Sequence, residues 1–197
     1  MVKGALIVLL CAGCLVGCAP ARPLPPEHLG RAIAVLPPNN RTGKALLVVG
    51  SGLIDRYVRH AQPVSVSDVL LSEARVQLQA NGFDVADWLA VDTALKGRRP
   101  TSPESAAHIA AVSGLNEPVL YLEIQRWEPD GATHTHFVIV GLLASVVDAS
   151  SGQVIWQYQR RPAPVATPGE IVTESAYVTA ARKVMREMLK DLRPSSP

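Results

Sequence analysis

Every cysteine of this 197-residue chain lies within its first eighteen residues, at Cys11, Cys14 and Cys18. From Ala19 to Pro197 there is no disulfide, thiolate metal site or cysteine nucleophile to draw on. Whatever folds there must be held by an ordinary hydrophobic core. The domain is therefore expected to melt at the same temperature with and without reductant. The same eighteen residues read as an export signal. One cation, Lys3, precedes an uncharged apolar run from Ala5 to Val16, and Gly17 supplies a small residue before Cys18. The run is shorter than the about 20 apolar residues of a membrane-spanning helix. Only Lys3, of 19 Lys and Arg and 17 Asp and Glu, is lost with residues 1–17. The near-balance that remains offers no basic stripe of the kind nucleic acid requires.

The segment 18–30 carries Pro20, Pro23, Pro25 and Pro26. Such a stretch favours extended polyproline II over packed structure and reads as a tether. Residues 31–193 read as one domain and 194–197 as a tail. Ala32 to Leu36 is a short buried strand stopped by Pro37-Pro38, and Asn39 to Gly43 is a turn. Ala45 to Val64 reads as a hairpin-like insertion: a strand over Ala45–Val49, a turn at Gly50-Ser51-Gly52, and Leu53–Val58 as a second strand or a helical turn. Ser65 and Asp68 have capping-box spacing, with Ser67 as a competing cap, ahead of Val69, Leu70, Ala74 and Leu78 at helical spacing. Asn81-Gly82 supplies the stop. A short strand at Phe83–Ala86, a helical turn over Val91–Lys96 and a helix opening at Ser102-Pro103-Glu104 follow. Val119–Ile124 is a near-continuous central strand. Phe137–Val147 and Val154–Tyr158 flank Asp148–Gly152 as a hairpin, and Arg161–Gly169 reads as a Pro-rich loop. Ala176, Ala180, Val184, Met188 and Leu192 mark a last helix along one stripe. This order predicts a single α/β (α+β) domain, a mixed sheet covered by helices.

The Leu15-Val16-Gly17-Cys18 ending resembles the lipobox of bacterial lipoproteins, in which the cysteine is acylated and becomes the first mature residue. Cys14 fits less well, because Cys11 stands where an aliphatic residue is wanted. An ordinary cleaved signal with an incidental cysteine is the alternative. Further along, Ile33 to Gly43 resembles the "VAVLPF-x-N-x-S/T-G" opening of the CsgG-like and TolB-N-terminal-like lipoproteins. Gly82-Phe83-Asp84-Val85, Val119–Ile124 and Val147–Trp156 match later motifs of that group in order, over residues 31 to 192. The nearest pattern is that of small lipoproteins opening "VLPP-x-N". Pro38 departs from the group's aromatic. Long amphipathic strand pairs, which build the curli channel's barrel, are also lacking; only 45–58 approaches the about 9–11 residues of a transmembrane strand.

The resemblance implies a lipid anchor on Cys18 and a place in the cell envelope. Ala19, not an acid, follows the cysteine, which by resemblance to sorted lipoproteins implies the periplasmic face of the outer membrane. The implied work is non-catalytic, a scaffold or regulator in an assembly or export system with an envelope protein as partner. A homo-oligomeric secretion channel of CsgG type is the alternative. No cofactor is expected. His134 and His136 share a side if extended, but a metal centre, and the hydrolase it would imply, needs further ligands. Unchanged metal content in the His134→Ala, His136→Ala double variant would end that idea. Glu123 and Glu128 are close in sequence without a guaranteed common cleft. Tyr57, Trp127, Trp156 and Tyr158 are the candidate partner contacts, with Trp127 expected partly exposed at a strand end.

Overall fold

The computed structural model describes residues 29–49, 64–131, 135–170 and 172–195. The first strand, β1 (Ala32–Val35), lies between two parallel neighbours. Ala32-Ile33 pairs with β5 (Asp84–Val85) on one side, and Ala34-Val35 pairs with β6 (Val119–Pro129) on the other. Pro37 and Pro38 cannot donate to a ladder, so β1 breaks there. The chain then rejoins β6 as β2 (Asn39–Asn40), opposite Glu123 and Ile124. The turn expected from Asn39 thus begins two residues later. The Asn40 side chain builds it, accepting from Thr42 N–H at 3.0 Å and donating to the Lys44 carbonyl at 2.8 Å.

In the insertion, β3 (Leu47–Val49) pairs antiparallel with β4 (Val64–Ser65). The reading of 53–58 as its second strand lies outside the described residues. Helix α1 (Val66–Ala80) starts at Ser65, whose hydroxyl accepts from Asp68 N–H while the Asp68 carboxylate accepts from Ser65 N–H, the reciprocal capping box. Gly82, with φ +95°, makes the stop. Helix α2 (Trp88–Leu95) is longer than the turn expected, because Asp87 caps it by accepting from Leu89 and Ala90 N–H. Helix α3 (Pro103–Val112) begins at Ser102 with proline in its first turn.

The antiparallel half runs β6, β7 (Phe137–Val147), β8 (Val154–Ala166). The loop expected over 161–169 gives way to strand as far as Ala166. Pro162 and Pro164 are tolerated because β8 is an edge strand that must bond on one side only. At Gly141 a Cβ would come within 3.0 Å of the Pro162 ring, so the bulge there leaves room for glycine alone without a shift. Helix α4 (Thr173–Leu189) closes the order, and the predicted stripe Ala176, Ala180, Val184 and Met188 is buried; its last expected member, Leu192, lies beyond the helix end, buried in the same core.

The six-stranded mixed sheet runs β5–β1–β6–β7–β8, with β2 also on β6, and the four described helices cover it as one α/β (α+β) domain. One face packs Leu120, Leu122, Ile124, Val140 and Leu142 under α1 and α4 in the larger core. The other face packs Ala34, Leu36, Val119 and Tyr121 against Val91, Leu95, Ala106 and Ala110 of α2 and α3. The alanines let α3 approach closely. Each large aliphatic side chain so buried contributes about 1.5–3 kcal/mol. Leu29, within the stretch read as tether, is fully buried in the larger core, and its carbonyl accepts from Ser195 N–H at 2.8 Å. Asn81 donates to the Leu189 and Leu192 carbonyls, tying the end of α1 to the end of α4.

Candidate functional site: a polar network on the sheet

Along β6, Tyr121 and Glu123 alternate with Leu122 and Ile124, so they share the face on which α2 and α3 pack. Beside them β2 brings Asn39 and the following turn brings Arg41. The Tyr121 hydroxyl donates to Glu123 Oε2 at 2.9 Å and accepts from Asn39 Nδ2 at 3.2 Å. Glu123 Oε1 accepts from Gln125 Nε2 at 3.1 Å and from the Arg41 guanidinium at 3.3 Å. The line continues outward, with Gln159 of β8 donating to Gln125 Oε1 at 3.1 Å. Asn39 also reaches the Thr101 carbonyl before α3, at 3.4 Å.

Tyr121 is fully buried and Glu123 is 4% exposed, whereas the Arg41 side chain is 64% exposed. Burial pushes the Tyr121 phenol up to about 12, with the Glu123 carboxylate adding to the rise against the Asn39 and Arg41 contributions. The phenol therefore stays a proton donor at neutral pH. Both oxygens of Glu123 are occupied by donors. The arrangement orders a polar surface and presents no free base or nucleophile. Glu128, the other carboxylate singled out from the sequence, belongs to a separate exposed group. There Arg126 beside it, together with Lys44, holds its carboxyl below the usual range.

Cys18, Tyr57 and His134 lie outside the described residues. His136 is exposed at the foot of β7, and its backbone N–H donates to Asp130 Oδ1 at 3.1 Å. Among the described residues no three His, Cys, Asp or Glu side chains gather as a metal site. The partial exposure expected of Trp127 is corrected: it is 1% exposed and meets Tyr177 edge-on at 6.2 Å. The cause is a bulge in β6 between Ile124 and Arg126. The extra residue, Gln125, resets the alternation, so that Trp127 turns into the larger core with Ile124. Trp156 is 5% exposed and stacks on the half-buried Tyr158 with centroids 6.4 Å apart. The network itself escaped the sequence reading; its one local signal was a Tyr-x-Glu pair inside an otherwise aliphatic strand.

Comparison with known proteins finds no matching family model and no matching curated protein. Among solved structures, the chain is similar to the PelC dodecamer from Paraburkholderia phytofirmans at 16% identity and TM-score 0.48, covering 88% of this chain and 95% of that one. It is similar to lipoprotein GNA1162 from Neisseria meningitidis at 17% identity and TM-score 0.46, covering 82% and 99%. E. coli LpoB follows at 15% identity and TM-score 0.41, covering 84% of each chain. None of the three is described as CsgG or TolB, so that resemblance stands on its motifs alone.

Proposed function

We propose that this chain is a lipid-anchored envelope protein whose domain works by protein–protein contact. It serves as a non-catalytic scaffold or regulator in an outer-membrane assembly or export system. The observation that carries the reading is Cys18, placed directly after a short apolar run and a small residue, with a proline-rich stretch between it and the packed Leu29. Acylation there gives stable attachment once more than one chain is added, each buried methylene contributing about 0.8 kcal/mol. The geometry of the sheet agrees with a non-catalytic role. A carboxylate filled by Tyr121, Gln125 and Arg41 organises a surface and leaves no base to take a proton.

A homo-oligomeric channel component of CsgG type is the second reading. It is favoured by the motif resemblance and by β8, an edge strand whose stretch before Pro162 leaves its outer side open to a second copy. The test of the first reading is fatty-acid labelling and detergent partition of the wild type and Cys18→Ser. The wild type is expected to take up label and enter the detergent phase, and the variant to do neither. A variant that still partitions fully into detergent after signal removal contradicts the anchor.

A further inference from the structure

Where β1 ends, a hollow of about 280 Å³ opens between α1 and α2. Topology places it where ligands gather in sheets with parallel strands. From β1 the chain leaves through α1 to β5 on one side, and then returns through α2 and α3 to β6 on the other. Ligand pockets run from about 300 to 1,000 Å³, so this one has room for a single small ring and no more.

Its lining is of two kinds. Val35, Pro37, Pro38, Leu71 and Val91 are apolar, and Trp88 stands at the start of α2 with 48% of its surface exposed. Among them sit Ser67, Asp68, Asp92 and Arg99. Asp68 spends Oδ2 on the cap of α1, accepting from the Ser65 N–H and hydroxyl at 2.8 Å each. Asp92 is half-buried. Among the described residues its carboxylate, the Ser67 hydroxyl and the Arg99 guanidinium engage no other group of the chain. Uncommitted acceptors and donors therefore converge on one apolar floor. The charges favour neither sign: Asp68 and Asp92 face Arg99 here, and Arg75 lines the adjoining hollow, so two acids balance two arginines. The ligand such a lining suits is neutral, apolar on its flat side and hydrogen-bonding at its edge.

We propose that this hollow binds an N-acetylated sugar ring of a glycan chain. The ring lays its apolar face on Trp88, the acetamido N–H donates to Asp92, its carbonyl accepts from Arg99, and its methyl rests on Val35, Pro37 and Val91. A pyranose carries C–H bonds on its faces and polar groups at its rim, the same division that the lining shows. The acetamido group repeats that division on a smaller scale, a methyl beside one donor and one acceptor. Tryptophan supplies a large flat apolar surface at low cost in ordering. The proposal adds a ligand to the domain and depends neither on the anchor nor on the protein contact proposed above.

Trp88 also supplies the readout, because Trp127 and Trp156 are buried. The full chain, extracted in a detergent without a sugar headgroup, is titrated with chitotriose while tryptophan emission and the heat of binding are followed. Cellotriose, with the same linkage but a hydroxyl in place of each acetamido group, and the cationic deacetylated trimer are the comparison ligands. Chitotriose is expected to shift the emission saturably, and the two comparison trimers to bind about tenfold or more weakly. Asp92→Asn should weaken chitotriose binding about tenfold. Trp88→Ala should abolish the binding heat, and both variants should keep the wild-type melting point. Absence of a saturable response, equal binding of cellotriose or of the deacetylated trimer, or undiminished binding in either variant would overturn the proposal. So would an emission shift with phosphatidylglycerol vesicles or a proline-rich peptide and none with chitotriose. If chitotriose fails to bind while Cys18→Ser still leaves the detergent phase, the sugar site falls and the anchor stands.

Discussion

On one face of β6, Leu120, Leu122 and Ile124 point into a core closed by α1 and α4; on the other, Tyr121 and Glu123 point toward a surface that α2 and α3 cover only in part. The two faces come from one strand and differ by a single step of its pleat. The first is stabilised mainly by area removed from water, and within it the Trp127 indole N–H is buried without an acceptor among the described residues. The second buries a phenol and a carboxylate, and every donor and acceptor must be matched or its desolvation is uncompensated. Apolar packing tolerates change in proportion to volume lost, whereas the network should respond to individual atoms.

Truncation should expose this contrast most strongly in the larger core. Trp127→Ala, emptying a site 1% exposed against Tyr177, is expected to lose about 3–5 kcal/mol in denaturant unfolding. Glu123→Ala strips the Tyr121 hydroxyl of its acceptor and should cost about 1–3 kcal/mol. A loss equal to that of Trp127→Ala would erase the distinction between the faces.

The network also predicts a pH signature. Free phenols titrate near pH 10, and folding raises Tyr121 to about 12. The stabilisation is whole below pH 10 and is lost as pH climbs toward 12, because only the unfolded chain releases the proton readily. Burial raises Tyr177 as well, so both tyrosines pull the same way. Tyr121→Phe should flatten this alkaline decline in part, read by thermal melts across that range. An unaltered decline would place its origin elsewhere. The smallest effect belongs to the outer end of the line: Gln159→Ala, exposed on β8, should change stability by no more than about 0.5 kcal/mol.

What could be read from the sequence was what is local. Ser65 with Asp68, and Ser102 with Pro103, announce their helices within four residues, and the α4 stripe repeats at helical spacing. What escaped depends on partners distant in the chain. The run of β8 across Pro162 and Pro164 needs the knowledge that it is an edge, and the burial of Trp127 needs the bulge at Gln125. Asn39, Tyr121, Glu123, Gln125 and Gln159 become one network only when β2, β6 and β8 are set in one sheet, with β7 between the last two.

The most direct test of the central claim is the native mass of the full chain, gently extracted in detergent from its own membrane. One spectrum reports both the mass added at the mature N-terminus and the company the chain keeps. The account predicts an acylated chain beginning at Cys18, present as a single copy bound to a different protein. A chain without acyl mass, or a large uniform assembly of identical copies, would contradict it.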